Sequence, residues 1–109
     1  MRWLATVTVA SSLLLAAPKT AAADSDTTSA RAAICYVFGP YCAQALRVAW
    51  CESRYSIWAR NGQYLGLFQM GNYARARYGH GNNAWAQAVS AYRYFVDSHY
   101  TWQPWSCKP

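Results

Sequence analysis

The sequence predicts a small, mainly α-helical domain with a minor β component, stapled by disulfides and exported. Three observations carry this expectation: apolar residues recur at helical spacing in two segments, four cysteines follow an apolar leader, and the whole chain has only 109 residues. A hydrophobic content of 54% with 17% aromatics argues against a disordered chain. No run reaches the roughly 20 apolar residues of a membrane-spanning helix. Lys and Arg number 10 against 4 Asp and Glu, a net charge of +6.

The leader opens on Arg2, continues from Leu4 to Ala17 with only Thr and Ser as polar interruptions, and closes on Ala21-Ala22-Ala23 before Asp24. That order reads as a signal peptide over 1–23, cleaved after Ala23. Removing Arg2 and Lys19 with it lowers the net charge from +6 to +4. Residues 24–30 are polar and are expected as a flexible lead, and 31–109 as one folded domain, most simply a monomer with no membrane contact once cleaved. A core of this size is marginal by itself, so covalent staples are expected. Cys35, Cys42, Cys51 and Cys107 contain no CxxC pair and do not match a structural zinc site. Two disulfides follow. Sequence leaves three pairings open; Cys35–Cys42 with Cys51–Cys107 is favoured because a helix over 42–51 holds its two ends about 13 Å apart.

Along the chain, Ser29 is expected to cap a helix from Ala30 to about Phe38, stopped by Gly39-Pro40. A second helix runs from about Tyr41 to Ser53, with Ala45, Val48, Ala49 and Glu52 on its apolar stripe. Periodicity then fails, and Asn61-Gly62 signals a loop or small β-hairpin leading into Gly66-Leu67-Phe68-Gln69-Met70. A short helix over 73–78 ends at Gly79. The clearest helix follows Gly81-Asn82-Asn83, with Trp85, Ala88, Val89, Tyr92, Phe95 and Val96 as its buried face and Gln87, Ser90, Arg93 and Asp97 opposite. The tail from Trp102 to Cys107 is broken by Pro104 and is expected to be fastened by a disulfide.

Glu52 is the single Glu after the leader. Against Ala45, Val48 and Ala49 its carboxyl is expected to be partly desolvated, which disfavours the anion and keeps a general acid protonated. Asp97 reads instead as a solvated charge beside Arg93.

Ala45-Leu46-Arg47-Val48-Ala49-Trp50-Cys51-Glu52-Ser53, with Asn61-Gly62 and Gly66-Leu67-Phe68-Gln69-Met70 after it, resembles the Glu-Ser and Gly-Leu-x-Gln signatures of the lysozyme-like superfamily. Within that superfamily the chain is similar to soluble lytic transglycosylases and to the resuscitation-promoting factors of actinobacteria. The latter also place a Cys before the catalytic Glu and end on a Trp-rich tail closed by Cys, as 102–107 do here. The likeness spans roughly residues 31–107.

The resemblance implies an α+β lysozyme-like catalytic domain acting on peptidoglycan glycan strands at the bond between N-acetylmuramic acid and N-acetylglucosamine. It makes Glu52 the catalytic acid/base, has Ser53 and Gln69 line or organise the cleft, and has the Gly66 backbone admit the sugar. The family's Ala-Tyr-Asn segment has only Ala91-Tyr92-Arg93 as a counterpart, and Tyr92 falls on the apolar face of its helix. Glycoside hydrolysis usually takes two carboxylates, and this chain is short of a second. A lytic transglycosylase, which uses one Glu as acid and then base, fits better. A water-activating muramidase and a non-catalytic wall-binding or antimicrobial module are the alternatives.

Tyr64 and Trp58 are the expected sugar-stacking rings, with Trp102 or Trp105 as core or rim. Arg54, Arg60, Arg75 and Arg77 give a positive side able to attract an anionic wall polymer. No nucleic-acid motif accompanies the charge. His80 and His99 are too few for a metal site, and no cofactor is implied. The expected location is extracellular and associated with the cell wall.

Overall fold

The computed structural model describes residues 19–109, with side chains from Asp26 onward. Most of the expected leader therefore lies outside the described residues. Four helices and one two-stranded sheet follow: α1 Lys19–Phe38, a 3-10 turn Gly39–Tyr41, α2 Cys42–Ser53, β1 Arg60–Asn61, β2 Tyr64–Leu65, α3 Asn72–Tyr78 and α4 Ala84–Asp97. The fold is small and mainly helical. No described helix is long and apolar enough to cross a membrane.

Helix α1 starts well before Ala30, and the 24–30 segment expected as a flexible lead is helical. Its sequence has no Gly or Pro from Lys19 until Gly39 to interrupt the ladder, so Ser29 sits inside the helix and does not cap it. Among its described side chains, Ala30, Ile34 and Phe38 belong to the buried core. Gly39, at φ +54, and Pro40 end the helix as expected, and the chain turns through 3-10 geometry into α2.

The hairpin forms with Arg60 opposite Leu65 and Asn61 opposite Tyr64, so Gly62 and Gln63 make the turn and Gly62 takes φ +61. Glycine takes that left-handed angle at less cost than an L residue with a side chain. The chain folds back a second time at once, Leu65 and Met70 exchanging backbone hydrogen bonds of 3.1 and 3.0 Å around the Gly66–Gln69 loop.

The buried face of α4 differs from the expected one. Gln87, Ala88, Ser90, Ala91 and Phe95 are buried, whereas Trp85 is 50% exposed and packs on Tyr36 of α1 at 5.2 Å between ring centroids. The helix is rotated because Gln87 finds partners inside: its Nε2 donates to the Ile57 and Gly81 carbonyls, and its Oε1 accepts from Leu67 N–H at 2.9 Å. Ser90 is satisfied within the helix by the Gln87 carbonyl. A buried polar group with every bond made costs little, so hydrogen bonding overrides the apolar pattern. The helix start behaves as expected, with Asn83 Oδ1 accepting from Ala86 N–H at 2.8 Å.

Both favoured disulfides are present, Cys35–Cys42 and Cys51–Cys107. The second pins the tail across the domain, where Trp102 and Trp105 are buried against Phe38, Phe68 and Phe95. Trp102 Nε1 donates to Gln44 Oε1 and Trp105 Nε1 to the Phe68 carbonyl, so neither indole is left unsatisfied. Of the two tryptophans expected as core or rim, both are core by exposure, and Trp105 also walls the cleft described next.

The bridges close loops of very different length, with sequence separations of 7 and 56. Replacing Cys51 and Cys107 together by Ser should lower unfolding free energy by about 4 kcal/mol, against about 2.5 kcal/mol for the Cys35/Cys42 pair. Urea unfolding of the two double variants checks the order.

Candidate functional site

A cleft of about 430 Å³ opens where the end of α2, the hairpin, the start of α3, helix α4 and the tail meet. Glu52 comes from the last turn of α2, Asn61, Gln63 and Tyr64 from the hairpin, and Gln69, Met70 and Gly71 from the loop after it. Tyr73 and Ala74 of α3, Tyr94 of α4 and the tail residues Pro104, Trp105 and Ser106 complete the wall. Glu52 is the only charged side chain among these lining residues; the others present amides, phenols, a hydroxyl and apolar surface.

The carboxylate of Glu52 is half-buried and held from the tail, where Cys107 N–H donates to Oε2 at 3.1 Å. The donor follows Ser106 and belongs to the residue bridged to Cys51, the immediate neighbour of Glu52. One covalent link thus fixes both sides of this hydrogen bond.

The other expected site residues take different places. Tyr64 lines the cleft and is 45% exposed, open to a ligand. Gln69 also lines it, but its Nε2 donates inward to the Ala59 and Gly66 carbonyls at 3.2 and 3.1 Å, bracing the loop at a backbone φ of +46. Ser53 is buried away from the cleft surface, its hydroxyl 2.8 Å from the Leu67 carbonyl and 3.1 Å from that of Ala49. It ties α2 to the Gly66–Gln69 loop.

Gly66 is required for packing. At φ +79 an added Cβ would lie 2.4 Å from Gln87 Oε1, so its bare Cα admits the Gln87 amide that holds Leu67. Trp58 lies elsewhere, 72% exposed beside a second hollow shared with Asp26, Arg54 and Tyr55. Tyr92 packs edge-on against Phe38 at 5.2 Å, consistent with its apolar position.

Sequence reasoning did not single out Tyr73, Tyr94, Asn61 or Gln63 as cleft residues. Tyr73 and Tyr94 come together from different helices, with ring centroids 6.5 Å apart. Burial, followed by the neighbouring Tyr73 and Tyr64 phenols, raises the Tyr94 pKa above its ordinary value, so its hydroxyl remains a neutral hydrogen-bond donor. Asn61 and Gln63 sit at the hairpin turn already legible from Asn61-Gly62. Polar side chains flanking a predicted turn were the available signal.

Two charged groups also differ from expectation. Asp97 pairs with Arg77 at 3.7 Å and accepts from the Tyr78 hydroxyl at 2.8 Å, in place of an ion pair with Arg93. Tertiary packing of α3 on α4 supplies the nearer partners. Arg75 is turned onto the loop, its guanidinium donating to the Gln63 and Met70 carbonyls and to Asn72 Oδ1. It clamps the hairpin to α3 and does not front the cleft.

Compared with protein-family models, curated proteins and solved structures, the chain matches none.

Two supports under the cleft can be tested by stability. Gln87→Ala removes a buried amide with three partners and should cost about 2–4 kcal/mol in urea unfolding, leaving Leu67 N–H and two carbonyls without it. His80, beside Gly66, has a buried Nδ1 with no hydrogen-bond partner among the described residues. Burial, and secondarily the Arg75 charge, lower its pKa from the ordinary 6.5, so the fold favours neutral imidazole. That contribution is complete above the unfolded pKa and is lost as pH falls through the folded one. The urea midpoint should therefore decline as pH falls below the ordinary imidazole value of 6.5, and His80→Gln should flatten the decline.

Proposed function

We propose that this protein is an exported peptidoglycan-cleaving enzyme of lysozyme-like design, acting on the bond between N-acetylmuramic acid and N-acetylglucosamine as a lytic transglycosylase. The observation that carries the reading is a single carboxylate, Glu52, in an otherwise uncharged cleft of amides and phenols. Such a lining suits a saccharide: planar rings face the apolar sides of pyranoses, while amides and hydroxyls bond their alcohol groups. Tyr64, Tyr73 and Tyr94 supply the rings here. Two disulfides accord with export to an oxidising compartment.

The chemistry needs only one residue. Glu52 as the acid gives its proton to the glycosidic oxygen, and the bond to C1 of N-acetylmuramic acid breaks. As carboxylate it then takes the proton from the 6-hydroxyl of the same sugar as that oxygen attacks C1. A 1,6-anhydro ring closes, Glu52 is protonated again, and no water is consumed. The hydrogen bond from Cys107 N–H keeps the side chain oriented between the two steps.

Hydrolysis by a muramidase is the second reading. An inverting enzyme takes a base about 6.5–9.5 Å from the acid to activate water, and a retaining one a nucleophile at about 5–5.5 Å. Among the described carboxylates, Asp97 is engaged with Arg77 and Tyr78, and Asp26 borders the second hollow. Neither lines the cleft, which favours transglycosylation.

Mass spectrometry of soluble fragments released from purified peptidoglycan by the oxidised protein decides between these readings. Anhydro-muropeptides are expected, and Glu52→Gln should reduce their rate by about 10²–10⁴-fold while leaving sedimentation with peptidoglycan intact. Reducing-end fragments would assign hydrolysis. No fragments from folded protein that still sediments with the wall would leave a binding module.

A further inference from the structure

Helix α2 has a second face that the cleft does not use. Ala43, Leu46, Arg47 and Trp50 follow helical spacing and, with Arg31 of α1 and Tyr55, line a shallow hollow that shares no residue with the cleft. Glu52 stands two positions after Trp50, about 200° around the helix. Arg54, the left-handed C-cap of α2, borders this face by lying over Trp50.

Charge and aromatic rings alternate across this face. The Arg54 guanidinium lies over the Trp50 ring at 4.7 Å, Trp50 meets Tyr55 at 5.3 Å, and Arg31 lies over the Tyr55 ring at 5.9 Å. Tyr55 is fixed in turn, its hydroxyl donating to the Leu46 carbonyl at 3.1 Å. Arg31, Arg47 and Arg54 are all exposed, and no carboxylate lines the hollow. The sole ion pair among the described residues is Arg77 with Asp97, on other helices. Asp26 lines the adjoining hollow together with Arg54.

We infer that this face binds a linear phosphodiester polymer lacking bases and acyl chains, a polyol-phosphate chain of the cell wall. Two of the three guanidiniums, those of Arg31 and Arg54, are held by ring stacking as pre-ordered forks for phosphate oxygens, and Arg47 adds a third exposed cation. Arg47, on α2, and Arg54, at its C-cap and over the Trp50 ring, present separate cations on one face, so more than one anionic group of a chain can be met. One face of each ring is engaged by a cation, Trp50 by Arg54 and Tyr55 by Arg31. The wall location of the polymer rests on the proposed function. Its attachment opposite Glu52 leaves the cleft free to work on neighbouring glycan.

Binding of oxidised Glu52→Gln protein to purified poly(glycerol phosphate), followed by calorimetry at several salt concentrations, tests this without turnover. Arg31→Gln/Arg47→Gln/Arg54→Gln should weaken binding at least about tenfold and flatten its salt dependence. Arg60→Gln/Arg77→Gln/Arg93→Gln, which removes the same charge elsewhere, should change it by less than about threefold. Circular dichroism establishes that both triple variants remain folded. Equal losses in the two triples, no binding by the parent protein, or tighter patch-dependent binding to phosphatidylglycerol vesicles or a single-stranded oligonucleotide would each overturn the assignment. Fragment release from polymer-stripped peptidoglycan reports separately on the enzymatic reading, since the patch is not needed there.

Discussion

The bridge between Cys51 and Cys107 joins the last turn of α2 to a tail that has no regular structure of its own. Through it Trp102 and Trp105 are laid over Phe38, Phe68 and Phe95, and Trp105 Nε1 reaches the Phe68 carbonyl. The same link carries Cys107 N–H to Glu52. Without it the tail would have to cover the core at the full entropic cost of an open chain. Core closure and the cleft wall therefore depend on one long-range covalent constraint, as expected where a small domain has too little apolar area to enforce its own topology.

A second constraint works from within. The Gln87 amide reaches from α4 to Ile57, Gly81 and Leu67, joining three loop segments that have little secondary structure. Ser53 adds the tie from α2 to Leu67, and Gln69 closes its own loop onto Ala59 and Gly66. These polar side chains shape the cleft wall where regular secondary structure is short. Each is satisfied by backbone partners, which makes such links stabilising in a dry interior and costly to remove. Gly66 belongs to the same device, since only a missing Cβ lets the amide approach.

The two faces of α2 divide labour under the proposed readings. One side ends in Glu52, held against the tail in an uncharged cleft; the other carries ring-stacked arginines over a shallow hollow. A separation of about 200° on one rigid helix keeps the positive charge away from the acid, so each group acts in its own electrostatic surroundings. Arg75 shows the alternative use of a cation, spent on carbonyls to hold the hairpin in place.

Sequence alone indicated the helix ends at Gly39-Pro40, Ser53 and Gly79, a helix start after 81–83, a turn at Asn61-Gly62, the favoured disulfide pairing and Glu52 as the carboxylate of interest. Apart from the Cys51–Cys107 pairing, which followed by excluding a bridge along α2, these are local matters of backbone angle, spacing and residue chemistry. Tertiary structure decided the rest. It buried Gln87 in place of Trp85, gave Asp97 to Arg77 and Tyr78, moved Trp58 to another hollow, and brought Tyr73 and Tyr94 to the cleft from separate helices. Whether a polar side chain faces inward depends on the carbonyls and N–H groups that other segments present to it, and those positions exist only once the chain has folded.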